Sequence, residues 1–179
     1  MDRRRCAASA RGIETARLVS TNHAASNGRW RNVAICLGRE PPDAAAAQDY
    51  RNNIEELVAA HPGQVGLITV VRDASTPTPD GRAAVTTMFR ELWPHLSCVA
   101  FVLEGSGFAA AAQRGILSGI LLATGLGNRM KIFSDVEDAT DWMAPHLVPS
   151  PAGTDPSLLA PTLADVVHTF CERYSHPHF

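Results

Sequence analysis

A chain of 179 residues, 45% hydrophobic and 19% charged, is long enough to bury one sizeable core and reads as a single soluble domain with an appendage. Its formal net charge of −2, with lysine present only at Lys131, excludes the clustered basic footprint by which nucleic-acid and anionic-membrane binders neutralise phosphates. The four cysteines, Cys6, Cys36, Cys98 and Cys171, are widely spaced and form no C-x-x-C, so no zinc or redox motif is visible and a reducing cytoplasm is expected.

Residues 1–14 begin with charge, yet no apolar run follows as in a signal peptide; they read as a disordered extension or an over-called start. The runs TARLVST (15–21) and NVAICLG (32–38) flank Asn27-Gly28, a strong hairpin-turn dipeptide, and are expected to pair antiparallel. Pro41-Pro42-Asp43 opens a helix with proline in its first turn. Tyr50, Ile54, Leu57 and Val58 form its apolar stripe, and His61-Pro62-Gly63 stops it. QVGLITVV (64–71) is a nearly continuous apolar run, typical of a strand covered on both faces. After the polar loop DASTPTPDG, Thr78 can cap a helix and Pro79 can take its first position. Val85, Met88, Phe89, Leu92 and Leu96 follow at helical spacing.

SCVAFVLE (97–104) is a further buried strand, a glycine-rich helix is expected over 108–125, and MKIFS (130–134) is the fifth strand. Ser134-x-x-Glu137 reads as a capping box opening a helix that carries Val136, Ala139, Trp142 and Met143. Residues 148–157 form a proline-rich linker. The last helix, 158–174, carries Leu163, Val166, Val167, Phe170 and Tyr174, and 175–179 are a tail. The expected fold of residues 15–147 is α/β: a mixed, largely parallel five-stranded sheet flanked by helices on both faces, with an N-terminal β-hairpin edge, plus the tethered C-terminal helix. The longest apolar tract, Gly115 to Gly127, is shorter than the roughly 20 residues needed to span a bilayer.

Within the expected helix, Ala111, Gly115, Gly119 and Ala123 stack along one face as a groove without side-chain bulk. Each glycine there costs about 1 kcal/mol relative to alanine, so a neighbouring surface is expected to press on the backbone and offset it. The partner is the chain's own sheet and C-terminal helix, a second subunit, or an apolar ligand.

Glu104-Gly105-Ser106-Gly107, with Ala110, fits G-x-G-x-x-A between a strand and a helix, where backbone N–H groups hold phosphates; Asp135 then stands where a ribose-binding acid is sought. The competing reading is a tight turn with Ser106 or Gly107 as the cap. G-x-S-x-G is absent around Ser106, and Glu55-Glu56 and Glu137-Asp138 read as solvated faces. WPHL (93–96) and APHL (144–147) read as two similar helix stops rather than one metal site, and His176 and His178 as a frayed tail rather than metal ligands. The loop from Asp73 to Gly81 leaves the carboxyl end of a central strand, where ligands of open α/β sheets bind near a switch in strand order. Asp73, Ser75, Thr76 and Thr78 thus join Glu104, Gly105, Ser106 and Gly107, with Gly115 and Gly119, as candidate ligand- or partner-binding residues.

The element order and two local signatures resemble the STAS superfamily, the domain of bacterial anti-sigma-factor antagonists and sulfate-transporter tails. MKIFSDVEDATDWMAPHL is similar to that family's closing strand and capped helix, with Phe133, Ser134, Asp135, Glu137, Asp138, Ala139 and Trp142 at the matching positions. VLEGSGFAAAAQRGIL is similar to the D-S-S-G helix opening, with Glu104 and Gly105 in place of Asp and Ser, and Ser106 in place of the phosphorylated serine. The resemblance implies a non-catalytic domain acting by protein–protein interaction in bacterial signalling, with the helix 108–125 and the adjoining loops as the contact surface; the residues themselves leave self-association open and carry no cofactor or metal motif. The alternative is a small carrier or sensor with an apolar or nucleotide ligand between sheet and helix, as in the related CRAL-TRIO lipid carriers. An enzyme, which would need converging polar groups with perturbed pKa values, ranks third.

Overall fold

The computed structural model describes residues 15–72, 78–104, 128–147 and 156–175, with the backbone alone for 156–161. A six-stranded sheet runs in chain order: β1 (Arg17–Thr21), β2 (Ala25–Trp30), β3 (Val33–Gly38), β4 (Val65–Val71), β5 (Leu96–Leu103) and β6 (Met130–Phe133). The first three strands form an antiparallel meander, and β3 to β6 are parallel. Among the described residues, four helices flank the sheet: α1 (Ala44–Ala60), α2 (Pro79–Leu92), α3 (Val136–Met143) and α4 (Pro156–Tyr174).

The expected α/β class, the mixed sheet and the hairpin edge are present, with one strand more than the five expected. The extra strand is β2, and it contains Asn27-Gly28 at its centre. The runs 15–21 and 32–38 therefore do not pair with each other; each pairs with β2. Tertiary packing overrides the turn preference of Asn27-Gly28: Asn27 is fully buried, and Gly28 lies under the ring of Phe170. The turns fall elsewhere. Asn22 Oδ1 accepts from the backbone of Ala24 at 3.0 Å and Ala25 at 2.9 Å, and Arg31 takes a left-handed φ of 51° between β2 and β3.

Strands taken in sequence and joined by right-handed crossovers place their connecting helices on one face. The side-chain alternation of the strands follows this division. Ala34, Cys36, Val65, Leu67, Leu96 and Val99 pack with Tyr50, Ile54 and Leu57 of α1 and Met88 and Leu92 of α2. Val33, Ile35, Leu37, Ile68, Val70, Cys98, Ala100 and Val102 point the other way, against α3 and α4. The stripe expected for the last helix is the one buried: Leu163, Val166, Val167 and Phe170 are each at most 2% exposed. Each such side chain contributes about 2 kcal/mol on burial, so α4 is part of the core. It begins at Pro156, two residues inside the expected linker.

Caps set the helix ends. Asp43 Oδ1 accepts from Ala46 N at 2.8 Å, so Pro41 and Pro42 precede the cap of α1 instead of occupying its first turn. Gly63, at φ 71°, turns the chain out of that helix into β4. Thr78 caps α2 and Pro79 opens it, as the sequence suggests. The cap of α3 is Asp135, whose Oδ1 accepts from Asp138 N at 2.8 Å, and not Ser134. WPHL and APHL both enter short 3-10 turns, Trp93–His95 and Ala144–His146, in keeping with two helix stops.

Candidate functional site at the carboxyl edge of the parallel strands

Gly38, Val71 and Leu103 are register partners across β3, β4 and β5. The next residues, Arg39, Arg72 and Glu104, therefore stand side by side at the carboxyl ends of the three strands. The register continues through Arg72 N donating to Gly38 O at 3.4 Å and Glu104 N donating to Val71 O at 3.0 Å. By the strand alternation all three side chains fall on the α4 face.

The end of α4 meets this row. Arg39 Nη1 donates to Tyr174 O at 3.2 Å and to Ser26 Oγ at 2.8 Å, and Nη2 donates to Thr21 Oγ1 at 3.5 Å and to Asn22 O. Arg72 Nη1 donates to Ser175 Oγ, which in turn donates to Cys171 O. Two guanidiniums thus sit against the last turn of α4, where unpaired carbonyls carry the negative end of the helix dipole.

The two arginines differ in their charge partners. Arg72 Nε donates to Glu104 Oε2 at 3.0 Å, with 38% and 35% of the two side chains exposed. A pair this exposed is worth about 0–1 kcal/mol and exchanges readily for other partners. Arg39 is half-buried, its acceptors are carbonyls and hydroxyls, and its Nε has no partner among the described residues. Burial pulls its guanidinium below the ordinary range, opposed by Cys36 and Glu40, and it remains a cation at neutral pH.

Of the candidate residues, Thr78 and Glu104 are described. Thr78 Oγ1 accepts from Gly81 N at 3.1 Å, and Glu104 is engaged by Arg72. Asp73, Ser75, Thr76, Gly105, Ser106, Gly107, Gly115 and Gly119, and the expected helix 108–125, lie outside the described residues. Asp135, considered as a ribose ligand, is the cap of α3. The strand order does not reverse among the described strands, so the site has no switch point; what marks it is the row of charges. Arg39 and Arg72 were missed because the local signal, an arginine directly after CLG and TVV, gains meaning only when the two strands pair in register.

The three described cysteines are buried, and burial pushes the thiols of Cys36, Cys98 and Cys171 up to about 12, which removes them as nucleophiles at neutral pH. No metal-binding cluster occurs among the described residues, and no described helix is long and apolar enough to cross a membrane. Two open grooves among the described residues lie on the helices. One of about 290 Å³ runs between α1 and α2 past Ala47, Arg51 and Ala83, and one of about 410 Å³ lies along α2 past Arg82, Thr86 and Arg90. No family model and no curated protein matches the chain.

Proposed function

We propose that this chain is a STAS-like, non-catalytic domain of bacterial cytoplasmic signalling that works by binding a protein partner, or a second copy of itself, at the carboxyl edge of its parallel strands. The carrying observation is the in-register row Arg39, Arg72 and Glu104. It presents charged, partly exposed groups from the ends of rigid strands, which suits recognition of another surface. The chemistry of the same residues favours binding over catalysis, since a general acid or base needs a proton-transfer group free to meet substrate. Two of the three residues in the row are arginines, a side chain suited to forked recognition of oxygens and not to proton transfer, and the Thr78 hydroxyl is spent on the cap of α2. The element order, and a closing helix with the Phe133 and Trp142 rings 5.6 Å apart after an aspartate cap, support the STAS-like reading.

A photo-crosslinking residue at Asp80, exposed in the first turn of α2, tests the proposal in the native host against the same residue at Ala60, exposed at the far end of α1. The expected result is one discrete protein adduct, heterologous or self, at position 80 and none at 60, with a complex of the same composition by native mass spectrometry. A stoichiometric small molecule retained by the purified chain, without a protein adduct at position 80, overturns it.

A further inference from the structure

We propose that Arg72, backed by Arg39, is an oxyanion-recognition site that captures a carboxylate or phosphoryl group carried by the partner, with Glu104 as the built-in competitor the partner displaces. The inference rests on the carboxyl edge being a contact surface.

Register places the two guanidiniums on neighbouring parallel strands, which run about 4.8 Å apart, on one face of the sheet. Glu104 is the one carboxylate that the described residues place in hydrogen-bond contact with either. Neutral acceptors from β1, β2, the turn between them and α4 engage Arg39. Glu104 pairs with Arg72 and Glu40 acts on Arg39, so what the row presents is an exposed, fork-shaped donor on one strand and a half-buried cation on the next. A forked guanidinium matches the paired oxygens of a carboxylate or phosphate. The two sets of partners also distinguish the arginines: Arg39 holds the β1–β2 turn to the end of α4, whereas Arg72 holds one exposed carboxylate and the hydroxyl of Ser175. Arg72 is the one able to change partners without moving the core.

The test uses the full chain labelled with nitrogen-15, following the arginine Nε–Hε resonances during titration with inorganic phosphate and, separately, with acetate at constant ionic strength. The expected result is a saturable shift of the Arg72 resonance by at least one of the two anions; which one saturates identifies the phosphoryl or the carboxylate source. Glu104→Gln is expected to tighten binding by about two- to fivefold, the worth of an exposed ion pair. Arg72→Gln, followed on the Arg39 Nε–Hε resonance, is expected to weaken it at least about tenfold, the loss of a charge-assisted hydrogen bond. Shifts that never saturate with either anion, or that saturate equally in Arg72→Gln, overturn the site, as does unchanged affinity in Glu104→Gln, a variant that leaves both arginines in place. A partner still cross-linked at position 80 after such a failure leaves the protein-binding reading standing. Anion binding without any cross-link removes that reading instead.

Discussion

Gly28 shows how one residue fixes the docking of a whole helix. A Cβ at that position would run into the Phe170 ring, with Cζ at 2.8 Å and Cε2 closer still. Gly28→Ala is therefore expected to lower stability by about 1–3 kcal/mol, the usual cost of overpacking, and Phe170→Leu in the same chain should recover part of it. Urea midpoints of the two single variants and the double variant measure this directly. The helix cap at the other end of the sheet gives a sharper comparison. Ser134 fits the cap pattern in the sequence, but the carboxylate of Asp135 takes the N–H of Asp138 while Ser134 Oγ donates to Asp135 Oδ2 at 3.1 Å. Replacing Asp135 by alanine should cost about 1 kcal/mol, and replacing Ser134 only a few tenths. Thiol chemistry offers a third check. With pKa values pushed up to about 12 by burial, Cys36, Cys98 and Cys171 should resist iodoacetamide in the folded chain and react once it is unfolded, as peptide mass spectrometry would read.

The elements are joined by polar ties as well as by apolar faces. Arg29 of β2 donates from Nε to Asn53 Oδ1 at 2.5 Å and from Nη2 to Glu56 at 2.7 Å, while Asn53 Nδ2 donates to Gly28 O at 3.3 Å. This fastens α1 across a strand whose sequence reads as a turn. Tyr50 of α1 and Thr69 of β4 share a buried hydrogen bond of 2.5 Å. On the opposite face, His168 Nε2 of α4 lies 2.9 Å from Glu137 Oε1 in the first turn of α3. Its own backbone hydrogen bond and then His168 hold the Glu137 carboxyl below the usual carboxylate range. A depressed acid stabilises the fold above its unfolded pKa, near 4.3, and the contribution is lost as pH falls through the lower folded value. Urea midpoints should therefore drop in acid less steeply for Glu137→Gln than for the parent chain. An equal drop in both would remove the assignment.

At the scale of the molecule, the sheet separates two cores, and α4 completes the second. Its residues pack on β2 and β3 beside α3 and bury Leu163, Val166, Val167 and Phe170. A chain ending at residue 155 would expose that whole face, and it is expected to bind a hydrophobic dye and lose cooperative unfolding. Leu163→Ala in the full chain should cost about 2–5 kcal/mol by denaturant titration. The same docking brings Tyr174 and Ser175 to the arginines at the strand ends. The helix that closes the core thus also roofs the proposed contact surface.

Much of this was determined by the sequence alone, because it depends on neighbours along the chain. Apolar runs gave β3, β4 and β5, stripes at helical spacing gave α1, α2 and α4, and short polar signals placed the Thr78 cap and the two stops at WPHL and APHL. In the candidate site, Thr78 and Glu104 were legible as residues flanking a strand-to-helix connection. The tertiary structure alone decided three things. Asn27-Gly28 became the middle of a strand, because burial under α1 and Phe170 outweighs a local turn preference. Asp135 rather than Ser134 became the cap, because one residue of register at the end of β6 decides which side chain meets the free N–H groups. Arg39, Arg72 and Glu104 became a row, because residues 33 and 32 positions apart in sequence meet only through strand pairing, and no pattern along one dimension encodes which strand ends fall side by side.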